Sequence, residues 1–256
     1  MNSSEASDVY PQTEVYDNPQ ELAWAAALRF AGMAEQCVSE RGKFTVALSG
    51  GSTPRAMLAL LAQKPFADSL PWNSIYFFWG DERCVPPDHA DSNYRMAREA
   101  LLAKVAVPQE NIFRVHAEDQ NHEQAADTYS ATIRQFFNSE TPQFDLIFLG
   151  MGADGHTASL FPGTAALQIT DQIAAANFVE KLTAWRITLT AQTINHARQV
   201  IFLVAGEEKA AVLKEVLEGK RQPETYPSQL VHPVSQSLLW MLDEAAASLL
   251  SDSENE

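Results

Sequence analysis

The chain has 256 residues, 46% of them hydrophobic and 20% charged, a globular composition long enough for one large core or two small ones; a single domain over residues 1–256 is the simpler reading. Its formal net charge of −15, from 33 Asp and Glu against 18 Lys and Arg, excludes broad electrostatic binding to nucleic acid or anionic lipid and leaves room for an anionic small molecule only where basic residues gather locally. The two cysteines, Cys37 and Cys84, lie far apart without Cys-x-x-Cys spacing, which indicates neither a disulfide framework nor a zinc site.

The amino terminus is polar and acidic, and no apolar run approaches the roughly 20 residues needed to span a bilayer. A soluble, cytoplasmic, monomeric protein is expected, with no membrane or nucleic-acid partner. Its ends, 1–12 and 251–256, are expected to fray. Phe44 to Gly50 reads FTVALSG, an apolar run that stops at Gly50-Gly51, and Thr53-Pro54 opens the helical stretch PRAMLALLAQ. Thr suits an N-cap and Pro the first helical turn, so the spacing predicts strand, tight loop, helix. The pattern recurs. SIYFFWG (Ser74 to Gly80) precedes DSNYRMAREALLAKV, and NIFRVHAE (Asn111 to Glu118) precedes HEQAADTYSATIRQFFN. FDLIFLGMG (Phe144 to Gly152) follows, then RITLT (Arg186 to Thr190), and QVIFLVAG (Gln199 to Gly206) leads into EEKAAVLKEVLEG.

Strands such as DLIFLG are apolar at nearly every position, as expected when helices cover both faces of a sheet. The alternation predicts an α/β fold: a doubly wound, mostly parallel, Rossmann-like sheet with helices on both faces. Ligands in such folds sit at the carboxyl ends of the strands, so the loops after Ser49, Gly80, Gly150 and Ala205 are expected to line one cleft.

Ser49-Gly50-Gly51-Ser52-Thr53-Pro54 brings backbone N–H groups and hydroxyls to the positive end of a helix, which suits an anion, although a Gly-Gly turn is often no more than a tight turn. The segment matches neither G-x-G-x-x-G nor G-x-x-x-x-G-K-[ST], so dinucleotide and nucleoside-triphosphate binding lose support. Later, Gly150-Met151-Gly152-Ala153-Asp154-Gly155-His156 delivers a carboxylate and an imidazole together into the predicted cleft on a glycine-rich turn. His156 is the candidate base near neutral pH, and Asp154 the group that orients its ring. Arg83, Arg186 and Lys209 fall beside apolar strands, and together they favour an anionic substrate. The other histidines, His89, His116, His122, His196 and His232, show no metal-ligand spacing, so no metal or cofactor is expected. Asp81 and Glu82 form a possible acid/base pair, though salt bridges to a neighbouring Arg fit them better. Ala47-Leu48-Ser49-Gly50-Gly51 approximates a nucleophile elbow, but its continuation into a helix start suits phosphate better than a serine hydrolase. A non-catalytic sugar-phosphate sensor is the second rival.

On these residues the chain resembles the 6-phosphogluconolactonase family, within the larger group that includes glucosamine-6-phosphate deaminase. The similarity runs through ALSGGSTPRAML, WNSIYFFWGDERCVPPDHADSNYRMAREALL, FDLIFLGMGADGHTASLFPG, RITLTAQTINHARQVIFLVAGEEKAAVL and PSQLVHPVSQSLLWMLDEAA. Deaminase-like sequences resemble G-x-G-x-[DE]-GHIAFNEP. Here Thr157-Ala158-Ser159-Leu160-Phe161-Pro162 follows the histidine without the Asn-Glu pair, which disfavours deamination. The family often has Lys-Pro-Pro ahead of its Arg-Ile-Thr-Leu-Thr, where this chain reads Lys181-Leu182-Thr183-Ala184-Trp185. The resemblance implies hydrolysis of 6-phospho-D-glucono-1,5-lactone in the pentose phosphate pathway, with His156 as base and Asp154 supporting it. It also implies that Ser49, Gly50, Gly51, Ser52, Thr53, Arg83, Gly155, Arg186 and Lys209 bind the phosphosugar lactone.

Overall fold

Phe44–Leu48, Leu146–Leu149 and Val200–Val204 are buried at every residue, and they form the middle of a six-stranded sheet. The structure, a computed structural model, describes residues 12–251. Its strands are β1 (Gln12–Tyr16), β2 (Phe44–Leu48), β3 (Ile75–Trp79), β4 (Asp81–Arg83), β5 (Leu146–Leu149), β6 (Ala174–Val179), β7 (Ala184–Leu189), β8 (Val200–Val204) and β9 (Leu238–Asp243). The helices are α1 (Pro19–Arg41), α2 (Ser52–Leu61), α3 (Phe66–Ser69), α4 (Asn93–Ala97), α5 (His122–Phe137), α6 (Ala191–Asn195), α7 (Ala210–Leu217) and α8 (Glu244–Ala247).

The large sheet runs β1-β9-β8-β5-β2-β3, and every neighbouring pair in it is parallel. From β2 the chain passes outward to β3 and later returns on the other side of β2 as β5. That reversal opens a crevice beyond the carboxyl ends of β2 and β5, where open α/β sheets take their ligands. Helices cover this sheet as the apolar strands require. α1 starts at Asn18, whose side chain accepts from Gln20 and Glu21 amides, and ends at Gly42 in the left-handed region, φ 74°. It buries Leu22, Ala26, Phe30 and Ala34 beside α2, β2 and β9. Among the described residues no helix is long and apolar enough to cross a membrane.

A second sheet, β4-β7-β6, is antiparallel. The segment Arg186 to Thr190 belongs here rather than to the parallel sheet. Asn111 to Glu118 is not a strand. It touches the sheet edge only through an isolated bridge, Phe77 to Ile112, then leaves it as Arg114 folds back on Glu118 at 2.7 Å and over the Tyr94 ring. The expected frayed ends lie outside the described residues, except that Gln12 begins β1 and the Ser251 amide donates to Glu218 at 2.6 Å.

Candidate active site

β5 ends at Leu149, and the next residues fold into a tight turn. The Gly152 amide donates to the His156 carbonyl at 2.9 Å and the Gly155 amide to the Gly152 carbonyl at 3.0 Å. A Cβ at Gly152 would overlap the His156 ring, and Gly155 sits at φ +75°, where a Cβ would press on Tyr226. Both positions therefore require glycine, one for space and one for conformation as well. The Gly155 carbonyl accepts from the Ser228 amide and hydroxyl, each at 2.9 Å, so a loop far along the chain clamps the peptide between Asp154 and His156.

His156 Nδ1 lies 2.5 Å from Asp154 Oδ1, and Phe161 stacks on the ring with centroids 3.9 Å apart at 17°. Asp154 Oδ2 accepts from Lys181 Nζ at 3.0 Å. The hydrogen bond from His156, assisted by Lys181, holds the Asp154 carboxyl well below the usual carboxylate range. An ionised Asp154 can only accept, so Nδ1 carries the proton and the Nε2 lone pair is free. Nε2 has no partner among the described residues. His156 is thus oriented, partly exposed and able to take a proton.

The small sheet supplies the opposite wall. Arg83 on β4 pairs in register with Arg186 on β7, which sets two guanidinium groups side by side. Their bonds go to backbone carbonyls, Arg83 to Asp91 at 2.7 Å and Arg186 to Trp185 at 2.9 Å, and neither is ion-paired with a carboxylate among the described residues. Burial, then the adjacent Arg83, pushes the Arg186 guanidinium below its ordinary value, a strain that a bound anion would relieve. Asp81, two residues before Arg83, receives a hydrogen bond from Ser159 Oγ at 2.6 Å. Ser159 is held at two further points, its amide donating to Thr188 at 3.2 Å and its carbonyl accepting from Asn177 at 2.8 Å, so the sheet grips the chain just past His156. Glu82 does not pair with a guanidinium: it accepts from the Arg83, Asn93 and Tyr94 amides at 2.8 Å and caps the start of α4.

These walls enclose a cleft of about 390 Å³ lined by Asp81, Arg83, Asp154, His156, Lys181, Arg186 and Lys209 among others, within the range of small-molecule sites. Four cationic side chains against two carboxylates line it, so its charge opposes that of the chain as a whole. His156, Asp154, Arg83, Arg186 and Lys209 are brought together. Gly155 lies behind the wall, against Tyr226. The Ser49-Gly50-Gly51-Ser52-Thr53 loop does not line the cleft directly: Gly50 packs on Asn93, which donates to the Asp81 carbonyl at 2.9 Å. Ser49 Oγ is buried without a hydrogen-bond partner, and no side chain caps α2 at Gly51. The site also uses Lys181, Phe161, Ser159 and Ser228, which sequence reasoning did not assign; only Lys181 carried a signal, as a basic residue near Arg186. Among the described residues no group of three His, Cys, Asp or Glu forms a metal-binding cluster.

A parallel sheet with its crevice at the strand reversal, an oriented imidazole and a cationic wall together define an α/β enzyme acting on an anionic small molecule. Comparison with known proteins is specific. Residues 17–240 match the model of the glucosamine-6-phosphate isomerases/6-phosphogluconolactonase family. A 6-phosphogluconolactonase of Synechocystis is 42% identical over 92% of this chain and 97% of its own length, and that of Rattus norvegicus is 41% identical over 93% of each. The solved 6-phosphogluconolactonase of Trypanosoma brucei superposes with a TM-score of 0.85 at 30% identity, covering 94% of this chain and 99% of its own. A monomeric glucosamine-6-phosphate deaminase, at 19% identity and a TM-score of 0.80, shares the fold. The chain belongs to the glucosamine-6-phosphate isomerase/6-phosphogluconolactonase family, and by sequence it is an enzyme of the lactonase kind.

Proposed function

We propose that the cleft hydrolyses 6-phospho-D-glucono-1,5-lactone to 6-phosphogluconate, the lactone-opening step of the pentose phosphate pathway, with His156 as general base. A lactone carbonyl is already electrophilic, so the protein has to place and activate a water and steady the oxyanion. Water bound at Nε2 loses a proton to the imidazole as its oxygen attacks the carbonyl carbon. Asp154 keeps the Nδ1–H tautomer and stabilises the imidazolium. When the tetrahedral intermediate collapses, the bond from carbon to ring oxygen breaks, and the imidazolium returns its proton to that oxygen. Arg83, Arg186 and Lys209 hold the phosphate and sugar hydroxyls, and the Ser49–Thr53 loop supports their wall from behind, where Gly50 packs on Asn93 and Asn93 donates to the Asp81 carbonyl.

The observation that carries this reading is the hydrogen-bonded Asp154–His156 pair in the same cleft as two guanidinium groups without carboxylate partners. A serine nucleophile is not supported, because Ser49 Oγ has no hydrogen-bond partner to activate it. The test is acid release from freshly made phosphogluconolactone with spontaneous opening subtracted. The parent protein accelerates it, and His156→Asn reduces the enzymatic rate about 10²–10⁴-fold while phosphosugar binding persists. Full turnover by His156→Asn would reject the assignment.

A further inference from the structure

The carboxylate of Asp154 has two oxygens with different partners. Oδ1 meets His156 Nδ1 at 2.5 Å and Oδ2 meets Lys181 Nζ at 3.0 Å. Held at one oxygen only, a carboxylate turns easily, since its last torsion is broad and two-fold. Held at both, its plane is set, and with it the plane of the imidazole already stacked on Phe161. Lys181 reaches Asp154 from the tip of the β6–β7 hairpin. There Glu180–Leu182 forms a 3-10 turn, closed by the Thr183 amide donating to the Glu180 carbonyl at 3.0 Å. Thr183 takes the left-handed conformation, φ 48°, needed to turn the chain back into β7. Asp154 is the one carboxylate with which Lys181 is ion-paired among the described residues.

We propose that Lys181 is a positioning residue for the Asp154–His156 pair. Through it the hairpin tip sets the pH at which the imidazole works. The inference rests on His156 being the general base. Asp154 and Phe161 from its own turn contact the His156 ring, and the charged groups that line the same cleft are Lys181 and Arg186 from the hairpin, Asp81 and Arg83 from β4, and Lys209 from the segment after β8. Lys181 is the one cation of this set bonded to Asp154. Its side chain is 70% exposed, so its influence is open to screening by salt, unlike that of a buried pair.

The experiment follows kcat and KM for lactone hydrolysis against pH, at low and high ionic strength, in the parent, Lys181→Met, Lys181→Arg and His156→Asn. Loss of the ammonium favours the imidazolium. Lys181→Met therefore moves the acid limb of kcat/KM up by about half a pH unit at low salt, and lowers kcat about two- to fivefold with KM nearly unchanged. Lys181→Arg restores both, and high salt moves the parent's limb toward that of Lys181→Met. A Lys181→Met limb that superimposes on the parent's overturns the inference. So does a rise in KM alone, which would make Lys181 a direct substrate contact. An inactive His156→Asn alongside an unaltered Lys181→Met sinks only the role of Lys181; an active His156→Asn sinks the base reading itself.

Discussion

β5, in the middle of the parallel sheet, buries Leu146, Ile147, Phe148 and Leu149 alike, whereas β4 and β7, in the antiparallel sheet, meet the cleft through Asp81, Arg83 and Arg186 while Ile187, Thr188 and Leu189 are buried. A strand covered on both faces cannot show a ligand its side chains, so β5 contributes to the cleft only through the turn beyond its end. A strand that borders the cleft can show it alternate residues, as β4 does with Asp81 and Arg83, and the β4–β7 register sets Arg186 beside Arg83 to complete the wall. The parallel sheet therefore fixes where the imidazole stands, and the antiparallel sheet fixes what can lie beside it.

Substitutions that separate these two kinds of work sharpen the contrast. Phe148 is fully buried, and Phe148→Ala costs about 3–5 kcal/mol of stability, read as a fall in the denaturation midpoint, with KM of the remaining folded enzyme unchanged. Arg186→Ala and Lys209→Ala do the reverse. Each weakens binding of the phosphorylated lactone by about 1.5–3 kcal/mol, seen as a higher KM, while the denaturation midpoint barely moves. An unaltered preference for phosphorylated over plain gluconolactone would refute their role. Between these lies Ser228→Ala, which removes one of two bonds to the Gly155 carbonyl and is expected to cost about 1 kcal/mol, with kcat falling and KM steady, and with recovery in Ser228→Thr. The smallest effect concerns Cys84, beside Arg186. Burial pushes its thiol up to about 11, so alkylation, which needs the thiolate, is slow at neutral pH and accelerates only as pH approaches that value.

Asp154 lies on the opposite side of the scale. Its carboxyl is held down by His156, so it is ionised above the ordinary carboxylate range and remains so well below it. Its stabilising contribution is complete above the unfolded carboxylate's pKa and is lost only in stronger acid. A fall in activity on mild acidification is therefore expected to report the imidazole and not Asp154.

Legibility in the sequence followed the same division. β2, β3, β5 and β8 could be read because each is a continuous apolar run closed by Ser-Gly or Gly, and the Asp154–His156 turn because its glycines mark a backbone that side chains cannot follow. The run Asn111 to Glu118 has strand-like residues, but it meets the sheet edge only at Ile112 and Phe113, and beyond them Arg114 pairs locally with Glu118. β6, Ala174–Val179, has alanines where a strand signal needs bulk, and its partner β7 looks like one more buried strand until its arginine is placed in a wall. Lys181, Ser228 and Phe161 act on the Asp154–His156 turn through contacts made by folding. Lys181 reaches across 27 positions and Ser228 across 73, distances over which no local pattern carries information.

The proposed hydrolysis requires one molecule to meet the imidazole and the cationic wall together. A crystal structure with 6-phosphogluconate, the product, tests this most directly. The phosphate is expected on Arg186 and Lys209, and the carboxylate within about 3 Å of His156 Nε2 or one water beyond it. A phosphate seated there with the carboxylate turned away from His156, or the ligand lying outside the cleft, would contradict it.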